Sequence, residues 1–248
     1  MAQKIQRKTT RVANLELSIV LPTYQERDNL AILIPKLEEG FRSADSEIII
    51  VDDNSNDGTE TLVNNLNKQF GNVRLIIRPS LRGVGSAIRD GYNAAKGNYI
   101  LSADADLSLA VSDMVRLYEK IREGFDMVVG YRYGPHGFYE TKSLAIKMKR
   151  LVSKPGSFLI RMLTGIKLRD FSNNSRIMKR DRWLELKTYE DSNAFLFEVI
   201  LKAARNGFKI AEIPISFHER KYGSSKLVLW KETPRSLLKL LKYTLFDR

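Results

Sequence analysis

Four short apolar runs, at residues 15–21, 47–51, 73–77 and 99–103, limit what this chain can fold into. The second, Glu47-Ile48-Ile49-Ile50-Val51, is too apolar for a sheet with one wet face. Strands of that kind are covered on both sides and belong to parallel sheets, whose neighbours are joined by helical crossovers. A polar turn and a stretch of helical spacing follow each of the first three runs. Leu30, Ile32, Leu33, Ile34 and Leu37 mark the first stretch, Leu62 and Leu66 the second, and residues from Gly83 to about Lys96 the third. Strands alternating with helices predict βαβ units and an α/β, doubly wound, mostly parallel sheet. Pro22 should end the first strand, and Asp28 or Asn29 should cap the helix after it.

In open α/β sheets ligands bind at the carboxyl ends of the strands. Two of the four runs end there in acids, Asp52-Asp53 and Asp104-Ala105-Asp106. An Asp-x-Asp at a strand end, where the backbone turns, can share a hard divalent cation and leave positions open for phosphate oxygens. Its plain alternative is a solvated acidic loop. Gly83-x-Gly85 lacks a third glycine and follows the third strand, so it reads as a tight turn that meets a ligand or packs a helix, not as a dinucleotide fingerprint. His136, beside Pro135 and two glycines, reads as an exposed loop residue.

Farther along, a helix through Met114, Leu117, Tyr118 and Ile121 precedes a strand at 126–130. Apolar residues from Leu144 to Met162 fall at helical spacing, as two helices parted at Pro155-Gly156, interleaved with Lys147, Lys149, Arg150, Lys154 and Arg161. A helix at 195–204 and an edge strand at 208–217 containing Pro214 follow. Leu237, Leu238, Leu241 and Leu245 repeat the basic amphipathic theme near the C-terminus. Residues 1–14 read as a flexible basic arm, 15–227 as one α/β domain and 228–248 as an amphipathic segment. The 41 basic and 29 acidic residues leave a net charge of +12, which suits nucleic acid, an anionic membrane surface or polyanionic small substrates. No run interleaves basic and aromatic residues as single-strand binders do, so nucleic acid is not expected. The absence of cysteine excludes disulfides, thiolate metal sites and a cysteine nucleophile. No apolar stretch of about 18 residues occurs that could span a membrane, and the lack of cysteine fits a reducing compartment, so the cytoplasm is the expected place.

Five motifs in order carry a resemblance: Val20-Leu21-Pro22-Thr23-Tyr24-Gln25-Glu26-Arg27, Val51-Asp52-Asp53-Asn54-Ser55-Asn56-Asp57-Gly58-Thr59, Ala103-Asp104-Ala105-Asp106-Leu107-Ser108, Gly130-Tyr131-Arg132-Tyr133 and Arg220-Lys221-Tyr222-Gly223-Ser224-Ser225-Lys226. With them the chain resembles family 2 glycosyltransferases of the GT-A fold, and within these it is most similar to dolichyl- or polyprenyl-phosphate mannose synthases. The resemblance implies that Pro22, Tyr24, Glu26, Val51 and Asp53 hold the base and ribose of a GDP- or UDP-hexose. It implies that Asp104 and Asp106, flanking Ala105 and with Ser108 as a further oxygen, hold Mg²⁺ or Mn²⁺ against the diphosphate. Arg132, Arg220 and Lys226 would set positive charge near the diphosphate and the acceptor phosphate, with Asp106, Arg132 and Arg220 counted as catalytic. The implied reaction is inverting transfer to a polyprenyl or dolichyl phosphate at an anionic membrane, with the two basic amphipathic stretches docking there. A saccharide acceptor would need a carboxylate base, and Glu190-Asp191, with Glu198 beyond it, resembles such a pair. Otherwise these acids cap and decorate the next helix. Mannose synthases show Asp-x-Thr-Ser-Gly-Phe-Arg where this chain has Asp170-Phe171-Ser172-Asn173-Asn174-Ser175-Arg176, which leaves glucose or another hexose open.

Overall fold

The computed structural model describes residues 15–80, 83–140, 144–220, 239 and 243. The arm at 1–14, Lys226 and the segment at 228–248 apart from Lys239 and Tyr243 lie outside the described residues. The chain runs β1 (Leu17–Thr23), α1 (Arg27–Gly40), β2 (Ser46–Asp52), α2 (Thr59–Phe70), β3 (Val73–Ile77), α3 (Val84–Ala94), β4 (Tyr99–Ser102), α4 (Val111–Ile121) and β5 (Met127–Tyr131). It continues with β6 (Phe138–Tyr139), α5 (Leu144–Thr164), β7 (Arg176–Lys179), α6 (Arg180–Glu185), α7 (Ala194–Arg205), β8 (Ile210–Pro214) and β9 (Ser216–Phe217).

Seven strands form one sheet in the order β3-β2-β1-β4-β7-β5-β8. All neighbours pair in parallel except β7, which runs antiparallel to both β4 and β5. Because side chains alternate across a strand, the apolar runs feed two cores. Val20, Ile49, Val51 and Ile100 pack with Ile88 and Tyr92 of α3, Trp183 of α6 and Phe195 and Val199 of α7. Ile19, Leu21, Ile48, Ile50 and Leu101 face α1, α2 and α4 through Leu33, Val63 and Met114. The register aligns Thr23 with Asp52 and Val20 with Ser102, so the loops after β1, β2 and β4 open at one edge.

Several local expectations are corrected. β1 runs through Pro22 to Thr23. The amide of Ala103 reaches the carbonyl of Val20 at 3.4 Å on the β4 side. By alternation Pro22 faces that side too, two residues past the register of Ser102, where β4 has ended and its missing N–H breaks no ladder. The cap of α1 is Glu26, not Asp28 or Asn29. Residues 144–164 form one helix through Pro155. Leu151, whose carbonyl Pro155 cannot bond, is 67% exposed, so water can satisfy it. The run at 208–217 divides into β8, an edge strand as expected and ended by Pro214, and β9, which joins β6.

Asp126 pins the lower edge of this sheet. It accepts hydrogen bonds from the Lys209 amide at 3.0 Å, Lys179 Nζ at 3.0 Å and Arg182 Nε at 3.2 Å. Burial would raise its pKa, but those donors outweigh it and hold the carboxyl down at about 2. A depressed carboxyl stabilises the fold above its unfolded value near 4, and the contribution is lost as pH falls through about 2. Asp126→Asn is therefore expected to be less stable than the parent at pH 7. The gap should close toward pH 2 in denaturant titrations; a gap independent of pH would contradict the assignment.

Candidate active site

Beyond Ser102 the chain turns through Ala103 and Ala105, both buried, which sets Asp104 and Asp106 on the rim of the sheet. Leu107 takes a left-handed conformation at φ 62°, a costly state for a branched side chain that bends the loop back. The bend lets the Ser108 amide donate to Asp106 Oδ1 at 3.0 Å. Ser108 in turn accepts at its carbonyl from the His218 amide at 2.8 Å, and Leu109 bridges Phe217. Strand β9 is thus stitched to the acidic loop, and Arg220, three residues later, lays its guanidinium on Asp106 Oδ2 at 3.0 Å. Its other terminal nitrogen stands 3.7 Å from Glu26 Oε1. Glu26, Asp106 and Arg220, far apart in sequence, meet here.

Asp104 accepts from Asn174 Nδ2 at 3.3 Å. Burial, and next the charge of Asp106, push its pKa up to about 6 against Asn174, Arg132 and Arg220. The hydroxyl of Ser108 is buried and has no partner among the described residues. Two carboxylates and a hydroxyl are hard oxygen donors, and an unsatisfied buried hydroxyl beside them suits Mg²⁺ or Mn²⁺. Among the described residues no group of three or more His, Cys, Asp or Glu is placed to hold a metal ion, so a cation here would take its remaining ligands from water or substrate oxygens.

The loops after β1 and β2 form a second wall. Asp52 accepts from the amide and the hydroxyl of Ser55, each at 2.7 Å, and Ser55 Oγ accepts from the Gln25 amide at 2.7 Å. Asp57 accepts from the Arg27 amide at 3.2 Å and from the Thr59 hydroxyl at 2.6 Å. Val51 pairs with Pro22, and the Asp53 amide reaches the Thr23 carbonyl at 3.0 Å. The carboxylate of Asp53 forms a buried ion pair with Arg78. Burial raises the pKa of Asp53, and Arg78 opposes it. Arg78 also donates to Ser86 Oγ at 2.6 Å and to the Gly83 carbonyl at 3.2 Å. Sequence reasoning passed over Arg78; its signal was a cation directly after the third strand. Gly83, at φ +103°, and Gly85 show which reading of their turn holds. A Cβ on either would lie 2.4 Å from a backbone carbonyl, of Asp191 or Ser192 respectively, so the pair packs α3 against the segment before α7.

Arg132 and Glu190-Asp191 do not match their expected surroundings. Arg132 is buried, with Nε on Asp170 Oδ2 at 2.7 Å, Nη2 on Asp170 Oδ1 at 3.1 Å and Nη2 also on Ser172 Oγ at 2.7 Å. Its guanidinium lies 5.1–5.2 Å from the ring centres of Tyr133, Tyr139 and Phe217. This cation is committed to a carboxylate and an aromatic cage, not offered to a diphosphate; it still helps to offset the charge of Asp104. Glu190 accepts from Lys239 and, at 3.1 Å, from the Tyr243 hydroxyl, while Asp191 pairs with Arg89. Glu198 is fully buried and accepts from the amides of Tyr189 at 2.9 Å and Glu190 at 3.0 Å. These acids fasten the segment before α7 and do not cap that helix, since its N-cap is Asn193 without a side-chain bond and Glu198 is buried; a base role finds no support in such contacts.

Along α5, Met148, Leu151, Phe158 and Met162 form an exposed stripe at helical spacing, with Lys147, Lys154 and Arg161 also exposed. Among the described residues no helix is long and apolar enough to cross a membrane.

The profile of Glycosyl transferase family 2 matches residues 18–183. A polyprenol monophosphomannose synthase of Mycolicibacterium smegmatis is 32% identical over 218 residues, 84% of this chain and 80% of the relative. A dolichol-phosphate mannosyltransferase of Mycosarcoma maydis is 31% identical over 85% of this chain and 73% of its own. Another from Pyrococcus furiosus is 29% identical over 86% of this chain, which spans 59% of that relative. Among solved structures, glucosyl-3-phosphoglycerate synthase from Mycobacterium tuberculosis with Mn²⁺, uridine diphosphate and glucosyl-3-phosphoglycerate superposes with a TM-score of 0.68. It is 17% identical over 92% of this chain and 80% of its own, a likeness of fold alone.

Proposed function

Because this chain belongs to glycosyl transferase family 2 and has the GT-A fold, we propose that it moves a hexose, mannose first among the candidates, from a nucleotide sugar to a polyprenyl or dolichyl phosphate. The observation that carries the reading is the meeting of Asp104, Asp106, Ser108 and Arg220 at the carboxyl edge of a parallel sheet. That edge is where the ligands of such sheets bind. Relatives about 30% identical over most of the chain bear the names of lipid-phosphate mannose synthases, which supports a lipid phosphate as the acceptor.

In this reading the wall of Pro22, Tyr24, Val51 and Asp53, completed by Arg78, receives the nucleoside. Asp104, Asp106 and Ser108 hold Mg²⁺ or Mn²⁺, which when bound neutralises the leaving diphosphate. Arg220 adds positive charge at the same place, turning from Asp106 to the phosphates as they arrive. An acceptor phosphate oxygen attacks the anomeric carbon while the bond from that carbon to the diphosphate oxygen breaks. Its electron pair leaves with the nucleoside diphosphate, and the anomeric configuration inverts. A phosphate monoester is anionic at neutral pH, so no protein base has to take a proton. Asp170 and the aromatic cage keep Arg132 as a support beneath the site. The stripe on α5, apolar with a basic margin, rests on an anionic bilayer and brings the site to a lipid acceptor.

The test is transfer of label from GDP-mannose and from UDP-glucose to a polyprenyl phosphate with Mg²⁺ or Mn²⁺. Label is expected in the lipid phase from GDP-mannose and absent with chelator. Release of free sugar without lipid product would preserve the donor site and reject the acceptor. Lipid product from UDP-glucose alone would reject mannose.

A further inference from the structure

The two acids of the Asp104–Asp106 pair are held in different ways. Asp106 has a backbone amide and an arginine on it. Among the described residues Asp104 receives a hydrogen bond from one side chain, the amide of Asn174, which is itself buried with 3% exposure. That amide is fixed from behind. Ser102, fully buried at the end of β4, donates to Asn174 Oδ1 at 2.9 Å and leans toward the Asn174 carbonyl at 3.2 Å. A serine hydroxyl has one proton, so in its 2.6 Å contact with Tyr92 the phenol must be the donor. The carboxylate of Asp104 can only accept, so Nδ2 of Asn174 faces it and Oδ1 is left for the Ser102 hydroxyl; the bonds then run in one direction, from the Tyr92 hydroxyl to Ser102 to Asn174 Oδ1. Asn173 ties the same turn to neighbouring strands, donating to the Gly130 carbonyl at 2.8 Å and accepting from the Ser175 amide at 2.8 Å. Arg176 closes the turn with Nη2 on the Asn173 carbonyl at 2.5 Å.

We infer that Asn174 is a positioning residue for Asp104, and that the buried hydroxyls of Ser102 and Tyr92 orient it. A carboxylate on a rim loop is free to rotate about χ1 and χ2; one donor of fixed direction removes that freedom and points the other oxygen outward. Hydrogen bonds to a ligating carboxylate tune its hold on a metal, and losing one typically costs 10–100-fold in affinity. A glycine at this place, as in the mannose-synthase pattern, would offer Asp104 nothing, so the device is particular to chains with a side-chain donor here. The inference rests on the reading of Asp104 and Asp106 as cation ligands.

Mn²⁺ binding, followed by the electron paramagnetic resonance of the free ion with GDP and in parallel UDP, tests it without turnover. Asn174→Ala is expected to raise the Mn²⁺ dissociation constant about 10-fold or more. Ser102→Ala, which never touches Asp104, is expected to weaken binding in the same direction. The double variant should be no worse than Asn174→Ala, because both changes act through one amide. Thermal unfolding without metal checks that each variant folds, and Ser102→Ala carries the test if Asn174→Ala does not. Wild-type Mn²⁺ affinity in the variants, or effects that multiply in the double variant, would overturn the positioning role alone. No Mn²⁺ uptake by the parent in either arm would overturn both the role and the metal reading.

Discussion

Asp106→Ala is expected to lower the rate of sugar transfer by about a thousandfold or more while leaving the fold intact. The size follows from how much converges on one carboxylate. Asp106 is a ligand of the proposed cation, the acceptor for the Ser108 amide that shapes the loop, and the resting partner of Arg220. Its removal takes away the metal's charge at the leaving diphosphate and frees Arg220 from its station. The fold is kept because the side chain packs in neither core, but Asp106 is buried and bonded to the Ser108 amide and Arg220, so its loss is expected to cost about 1–3 kcal/mol of stability, read from unfolding midpoints, and no more. The two measurements separate chemistry from stability. Full activity in the variant, insensitive to chelator, would remove the metal from the mechanism. A large loss of stability would show that Asp106 is a structural residue instead.

The legible parts of this protein were those where a local pattern is also the cause. Ile48-Ile49-Ile50-Val51 is buried on both faces because a parallel strand between two helical layers has no other environment, and its apolarity says so directly. The Asp104–Asp106 loop was legible because turns at the carboxyl edge collect ligand-binding groups whatever the rest of the sheet does. What escaped depends on contacts between distant residues. Strand β7 is four residues long, begins at an arginine and follows two asparagines, so it carries almost no strand pattern. Its place between β4 and β5 comes from pairing with Tyr99–Ser102 and Met127–Val129. Arg78 drew no reading from the sequence, because only the fold brings Asp53, Ser86 and Gly83 around it. Pro155 shows the opposite failure, a sound local rule overridden because the carbonyl it leaves is open to water. Asp170 and Arg132 each stood in a motif, yet nothing in either motif says that they bond to one another across 38 residues.

That last pair supports the second large expectation: Arg132→Ala is expected to destabilise the protein by about 3–5 kcal/mol, because it leaves Asp170 buried without its counter-charge. Asp170 is fully buried, and although burial alone would raise its pKa, Arg132 holds the carboxyl below the ordinary range. The midpoint of thermal unfolding should fall by about 10 °C for a chain of this length. Arg132→Lys should recover little of this, since an ammonium cannot bond both carboxylate oxygens in one plane or stack on Tyr133, Tyr139 and Phe217. The outcome discriminates between two roles for one residue. A cation reserved for the donor diphosphate would, when removed, raise the KM for nucleotide sugar and leave stability unchanged. A cation that holds the 170–174 turn should lower stability first and disturb the site through Asn174, which the same turn carries to Asp104. Unchanged thermal stability in Arg132→Ala, with a raised donor KM, would return Arg132 to the diphosphate.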